Sequence, residues 1–238
     1  MIPWKLLDTV PVPGDGGELT LFVRDQEYSI RVAHIELMNS RVYSREDALS
    51  ELGCARIAGR KKARVLIGGL GMGFALATAL RHVGADAQVV VAELVPGVIK
   101  WNRETFGHLA AHPLRDRRVS LREMDVARVI RESPGGFDAV LLDIDNGPDG
   151  LTRRSNGWLY SDAGIASCRA ALRDAGVLGV WSAGPDREFV RRLNRNQLSV
   201  DEVEVGSRSQ HRGARHTLWF ATPPARKGAP ARKTGARS

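Results

Sequence analysis

From Lys61 to Ala221 the sequence alternates short apolar runs with stretches that carry apolar residues at three- and four-residue intervals. Such a pattern suits a doubly wound α/β sheet of mostly parallel strands, because each apolar run is long enough for a strand buried on both faces and each amphipathic stretch is long enough for a crossover helix. The spacing predicts strands at Arg64–Ile67, Gln88–Glu93, Arg118–Arg122, Phe137–Asp143 and Gly176–Ser182. Helices are predicted at Gly73–His82, Pro96–Phe106, Val126–Glu132, Asp162–Arg173 and Asp186–Arg195. Beyond these, Val200–Val205 and His216–Ala221 read as strands with no helix between them, which predicts an antiparallel hairpin closing one edge of the sheet.

Residues 1–60 read as a different unit. Glu18–Arg24 and Tyr28–Leu37 alternate apolar and polar residues around Asp25-Gln26-Glu27, the pattern of a small β-hairpin cap, and a helix from Ser44 to about Ile57 links it to the main domain, 61–221. The net charge of +8 is largely terminal. Arg226, Lys227, Arg232, Lys233 and Arg237 face no acid, and without them the chain holds 30 basic against 27 acidic residues. A segment of Pro, Ala, Gly, Lys and Arg cannot offset its ordering entropy, so residues 222–238 read as a disordered basic tail, a solubility element with a weak nucleic-acid contact as the sharper reading. The 43% hydrophobic and 26% charged content is that of a globular chain. No apolar run approaches the roughly 18–20 residues of a membrane span and no signal-peptide core is visible, so the reading is a cytoplasmic protein without membrane contact. Cys54 and Cys168 lack metal-ligand spacing and read as reduced thiols. His34, His82, His108 and His112 are scattered over different elements, and no metal is expected.

Chemistry gathers at the predicted carboxyl ends of the strands, where open α/β sheets bind their ligands. Gly68, Gly69, Gly71 and Gly73 follow the first core strand and open a helix, placing glycines where a backbone turns sharply and approaches a ligand closely. The spacing departs from G-x-G-x-x-G, since Phe74 or Leu76 falls where the last glycine belongs, and this disfavours a nicotinamide cofactor. Glu93 ends the second core strand, 22 residues after Gly71, where a carboxylate can accept from ribose hydroxyls. Asp125 follows the third strand and either accepts from an adenine amino group or caps the next helix. Asp143 and Asp145 leave the fourth strand, and an acid directly after Ala139-Val140-Leu141-Leu142 bears a desolvation cost unless a partner or a function holds it there.

The glycine loop with Ile67 before it, Glu93, Asp125, Asp143 and the Leu159-Tyr160 pair before a helix together resemble the spermidine synthase (polyamine aminopropyltransferase) family, over roughly residues 18–221. The resemblance implies a Rossmann-like class I methyltransferase-type sheet, closed by a C-terminal antiparallel hairpin, with an N-terminal β cap. It implies that Glu93 and Asp125 hold the ribose and adenine of decarboxylated S-adenosylmethionine, and that Asp143 deprotonates an amine acceptor that Asp145 and Tyr160 orient. Three departures stand out. The family's loop aspartate is Gly71 here, its second motif acid falls near Asn146 with Asp145 displaced by one, and its N-terminal Tyr-His-Glu signature has no match around Arg41–Leu52. Loss of the loop charge relaxes repulsion of the carboxylate on ordinary S-adenosylmethionine. The reading is therefore an aminopropyl transferase acting on an amine, a homodimer being compatible with it. An S-adenosylmethionine-dependent methyltransferase acting on an amine or nucleic acid is the alternative, for which Asn146-Gly147-Pro148 has a partial likeness to Asn-Pro-Pro. A non-catalytic nucleoside- or nucleic-acid-binding protein is the second.

Overall fold

The computed structural model describes residues 2–14, 17–41, 44–143, 154–206 and 215–224. Two sheets make up the fold. The N-terminal sheet is antiparallel in the order β1-β2-β3-β4, from β1 (Lys5–Pro11), β2 (Glu18–Arg24), β3 (Glu27–Val32) and β4 (Ile35–Asn39). The main sheet has seven strands: β5 (Arg64–Gly68), β6 (Gln88–Glu93), β7 (Val119–Glu123), β8 (Phe137–Leu142), β9 (Leu172–Ser182), β10 (Ser199–Gly206) and β11 (Arg215–Thr222). Their order is β10-β11-β9-β8-β5-β6-β7. Five strands are parallel, and β11 runs antiparallel between β9 and β10, as the missing helix between the last two runs predicts.

Among the described residues the α-helices are α1 (Ser44–Ala55), α2 (Phe74–His82), α3 (Pro96–Glu104), α4 (Val126–Arg131), α5 (Asp162–Ala171) and α6 (Arg187–Arg195). They divide the apolar residues of the main sheet into two layers, as burial of each strand on both faces requires. One layer packs Leu49 and Cys54 of α1, Leu76 of α2 and Ile99 of α3 on Val65, Ile67, Val89, Val91 and Leu141, and continues into Leu19, Leu21 and Ile30 of the N-terminal sheet. The other packs Ile130 of α4, Ile165 and Cys168 of α5 and Phe189 of α6 on Leu66, Val90, Val140, Leu142 and Val180. A buried ion cluster closes the amino edge. Asp138 accepts from Arg60 (2.6 Å), Arg173 (2.8 Å) and the Arg64 backbone N–H (2.7 Å), so its desolvated charge is balanced by two guanidinium groups.

The N-terminal unit contains the expected hairpin, as β2 and β3 around Asp25-Gln26-Glu27, and extends it. It has four strands, because Tyr28–Leu37 is broken by a turn at Ala33-His34, with Ala33 in the left-handed region at φ 50°, a turn that no Gly, Asn or Pro announces. The additional strand β1 is silent in sequence, since Leu6 and Leu7 are adjacent, both are exposed, and a bulge between Leu6 and Asp8 breaks the alternation. This strand ties the two sheets together. The Trp101 indole of α3 donates to Asp8 at 2.9 Å, and a Cβ on Gly97 would lie 2.5 Å from both Val10 methyls, so glycine is what lets β1 dock. Helix α1, grouped by sequence with the cap, packs on α2 and against β8, β9 and β11. Strand β11 extends to Thr222, into the segment expected as tail, and residues 225–238 lie outside the described residues.

Candidate active site

The chain runs from β5 outward through β6 to β7, then returns to β8 on the other side of β5. The carboxyl ends of β5 and β8 are therefore the switch point at which doubly wound sheets bind ligands. Gly68 ends β5, and the Gly69 N–H donates to Ala92 O at 2.9 Å, carrying the backbone one step past the strand. Gly69 and Gly71 then adopt left-handed φ values of 86° and 51°, which favour glycine, and the loop closes with Gly73 as the residue before α2. A Cβ on Gly69 would stand 3.2 Å from the Asp143 carbonyl oxygen, so the absent side chain is what brings the loop down onto the end of β8.

Glu93 lies at the end of β6, 7% exposed, and spends part of its carboxylate on this loop. It accepts from the Leu70 N–H and the Val95 N–H, both at 2.8 Å. Burial pushes its carboxyl above the usual range, against the opposing pull of these and neighbouring backbone N–H groups. Asp125 is the N-cap of α4 and accepts from Ala127 N–H at 2.8 Å, the capping half of the two roles open to it from sequence.

Asp143 follows the last residue of β8. The residue keeps intermediate exposure, yet its carboxyl is enclosed, and burial pushes it up to about 6. A carboxyl of that pKa is ionised at neutral pH and still basic enough to accept a proton from an incoming cationic acid. The structure thus brings together the glycine loop, Glu93 and Asp143. Asp145 and the Asn146-Gly147-Pro148 turn lie outside the described residues. Tyr160 is buried beneath the sheet, its ring edge-on to Phe189 of α6 at 5.7 Å. Among the described residues no three His, Cys, Asp or Glu side chains gather as a metal site requires, and no helix is long and apolar enough to cross a membrane.

Sequence reasoning passed over three features of this edge. Asn102 of α3, 3% exposed, donates through Nδ2 to Gly71 O (2.7 Å) and Val98 O (2.9 Å), fixing the loop from behind; a polar residue on the apolar face of α3 was its signal. Met38 of β4 reaches the loop from the N-terminal sheet, its sulfur accepting from Met72 N–H at 3.1 Å, and nothing in the sequence announces so long-range a contact. Trp181, near the end of β9, stacks on His216 at 5.2 Å with 25° between the rings, and both are buried. Leu142 pairs with Val180, so this pair stands at the sheet edge beside the end of β8.

No curated protein matches the chain at a significant level. Among solved structures, one that resembles it is a spermidine synthase in complex with the transition-state analogue AdoDATO, at 16% identity with a TM-score of 0.76, the match covering 92% of this chain and 73% of that one. Spermidine synthase from Thermotoga maritima matches at 16% identity with a TM-score of 0.73, over 92% of this chain and 72% of its own. At these identities the likeness establishes the fold. The family follows from the sequence itself, for the spermine/spermidine synthase domain model matches residues 44–186, more than half of the chain and the span that holds the glycine loop, Glu93, Asp125 and Asp143. The chain belongs to the spermine/spermidine synthase family.

Proposed function

We propose that the chain is an aminopropyltransferase that moves the aminopropyl group of decarboxylated S-adenosylmethionine to a small-molecule amine. One observation carries this reading: Asp143, whose carboxyl is raised by burial to about 6, follows β8 at the switch point with its main-chain carbonyl packed on the glycine loop. The strand order supports the rest of the reading. Asp125 at β7 and Glu93 at β6 take the adenine and ribose, and Gly68, Gly69, Gly71 and Gly73 let the loop approach the donor, which brings the sulfonium over the ends of β5 and β8. The nitrogen lone pair of the acceptor attacks the donor carbon beside the sulfonium, the C–S electron pair returns to sulfur, and the thioether methylthioadenosine leaves. The proton lost by the amine passes to Asp143. A free alkylamine titrates near 10.4, so the acceptor arrives charged, and Asp143 has to take its proton as it enters, before the nitrogen lone pair is free to attack. The remaining contribution of the enzyme is alignment of nucleophile and carbon at about 3–3.5 Å. Asp145 and Tyr160 orient the acceptor.

The experiment is to offer a mixed amine and nucleic-acid pool with each donor and to read the products by mass spectrometry. An aminopropyl gain on an amine supports the proposal, and a methyl gain with S-adenosylmethionine alone replaces it by methyl transfer. The cytoplasm as compartment, a homodimer through the exposed Leu6, Leu7, Ile35 and Leu37 of the N-terminal sheet, and a weak polyanion contact of the C-terminal cations belong to the same reading. Light scattering tests the dimer, and salt-dependent RNA retention that disappears with residues 225–238 tests the polyanion contact.

A further inference from the structure

The glycine loop is covered by a side chain from outside the main domain. Met38 of β4 sets its Sδ 3.1 Å from the Met72 nitrogen, and a Cβ on Gly71 would lie 2.5 Å from Met38 Cε and 3.0 Å from Met38 Sδ. The thioether therefore occupies the volume that a side chain at position 71 would fill. From within, Asn102 Nδ2 donates to Gly71 O, and the Glu93 carboxyl is bound by the Leu70 N–H with the Gly71 N–H beside it. Burial holds the Glu93 carboxyl toward its protonated form.

This inference rests on the donor reading above, in which the nucleoside lies across β7 and β6 and the chain beyond sulfur continues over β5 and β8. On that path the donor chain meets Met38 and the loop. On its loop side, residues 70–72 with Met38, this path meets no charged side chain among the described residues, Asp143 standing at the end of β8 instead. The Met72 N–H is held by a thioether, a weak acceptor that a carboxylate oxygen outcompetes. The loop also opens α2, whose N-terminal end carries partial positive charge. We propose that Met38 is a donor-specificity residue: by making the loop wall neutral it lets the site take a sulfonium donor whose chain bears a carboxylate, S-adenosylmethionine itself, as well as the decarboxylated form. The intact donor is then a competitor for the site or a second substrate in its own right.

Calorimetry on the full chain with S-adenosylmethionine, decarboxylated S-adenosylmethionine and methylthioadenosine decides it. The expected result is dissociation constants for the two sulfonium donors within tenfold of one another. Met38→Leu, which keeps the volume and neutrality of the wall, leaves that ratio unchanged. Met38→Asp places a carboxylate on the wall and shifts the ratio at least tenfold against S-adenosylmethionine, a loss that high salt reduces. Met38 is only partly buried, and the ratio in the unaltered protein stands even if the aspartate variant fails to fold. A preference of more than tenfold for the decarboxylated donor in the unaltered protein, or a ratio indifferent to Met38→Asp, overturns the proposal while leaving the donor reading intact. Failure of all three compounds to bind overturns the donor reading and this inference with it.

Discussion

Asp143→Asn separates stability from chemistry in a single substitution. The Asp143 carboxyl is pushed from 3.8 to about 6 by burial, a shift of about 2 units, or about 3 kcal/mol at 1.36 kcal/mol per unit. The direction fixes the sign. A raised pKa means that the folded protein binds the proton more tightly than the unfolded chain, so stability declines as pH rises from about 4 to about 6, and above that window the ionised carboxylate costs up to about 3 kcal/mol. Asparagine keeps the shape and removes the charge. At pH 8 the variant should melt higher by up to roughly 6–12 °C, at 2–4 °C per kcal/mol for a domain of this size, and at pH 4 the two proteins should melt together. Under single-turnover conditions transfer should fall roughly 10²–10⁴-fold, the usual contribution of a general base, while donor affinity persists. The unaltered enzyme should gain rate through an ionisation near pH 6 that the variant lacks. Thermal melts between pH 4 and 8 with rapid-quench kinetics test both halves. A variant less stable at pH 8, or one that transfers at the normal rate, would refute the assignment.

Other substitutions probe the scaffold. Glu93→Ala strands the Leu70 and Val95 N–H groups and should cost about 2–6 kcal/mol, at about 1–3 per unpaired buried donor, with weaker donor binding; urea unfolding and calorimetry measure the two. Asp138→Ala strands the Arg64 N–H at the opposite edge of the sheet, while Arg60 keeps the Asp174 and Ala175 carbonyls and both guanidiniums reach solvent, so it should destabilise by about 1–3 kcal/mol with donor affinity unchanged in calorimetry at low temperature. Gly97→Ala drives a methyl into Val10 and should loosen β1, seen as faster hydrogen exchange across Lys5–Pro11 while β5–β9 keep their protection.

Much of the main domain was legible because its strands are buried on both faces. Val89, Val90, Val91 and Ala92 in β6, and Ala139, Val140, Leu141 and Leu142 in β8, are continuous apolar runs, and their flanking glycines and acids mark the carboxyl edge. The hairpin of β10 and β11 was legible for a different reason, the absence of a helical pattern between two strand-like runs. Of the N-terminal sheet the β2–β3 hairpin was legible, whereas β1 and the break between β3 and β4 were not, because Leu6, Leu7, Ile35 and Leu37 are exposed and Ala33 turns the chain without a turn residue. At the site, Gly69 and Glu93 were readable from their place after strands. Their partnership was not, since it is a hydrogen bond between a side chain at 93 and a backbone group at 70. Met38 was beyond local reading altogether, because its contact with Met72 depends on how β4 lies over the loop.

The central claim is that this fold transfers an aminopropyl group, and the most direct measurement is the mass of the product formed from purified chain, decarboxylated S-adenosylmethionine and a pool of small amines. The prediction is an amine heavier by one aminopropyl group, formed in equal amount with methylthioadenosine and lost in Asp143→Asn. Intact donor and unmodified amines after prolonged incubation, with methylthioadenosine bound but never produced, would contradict it.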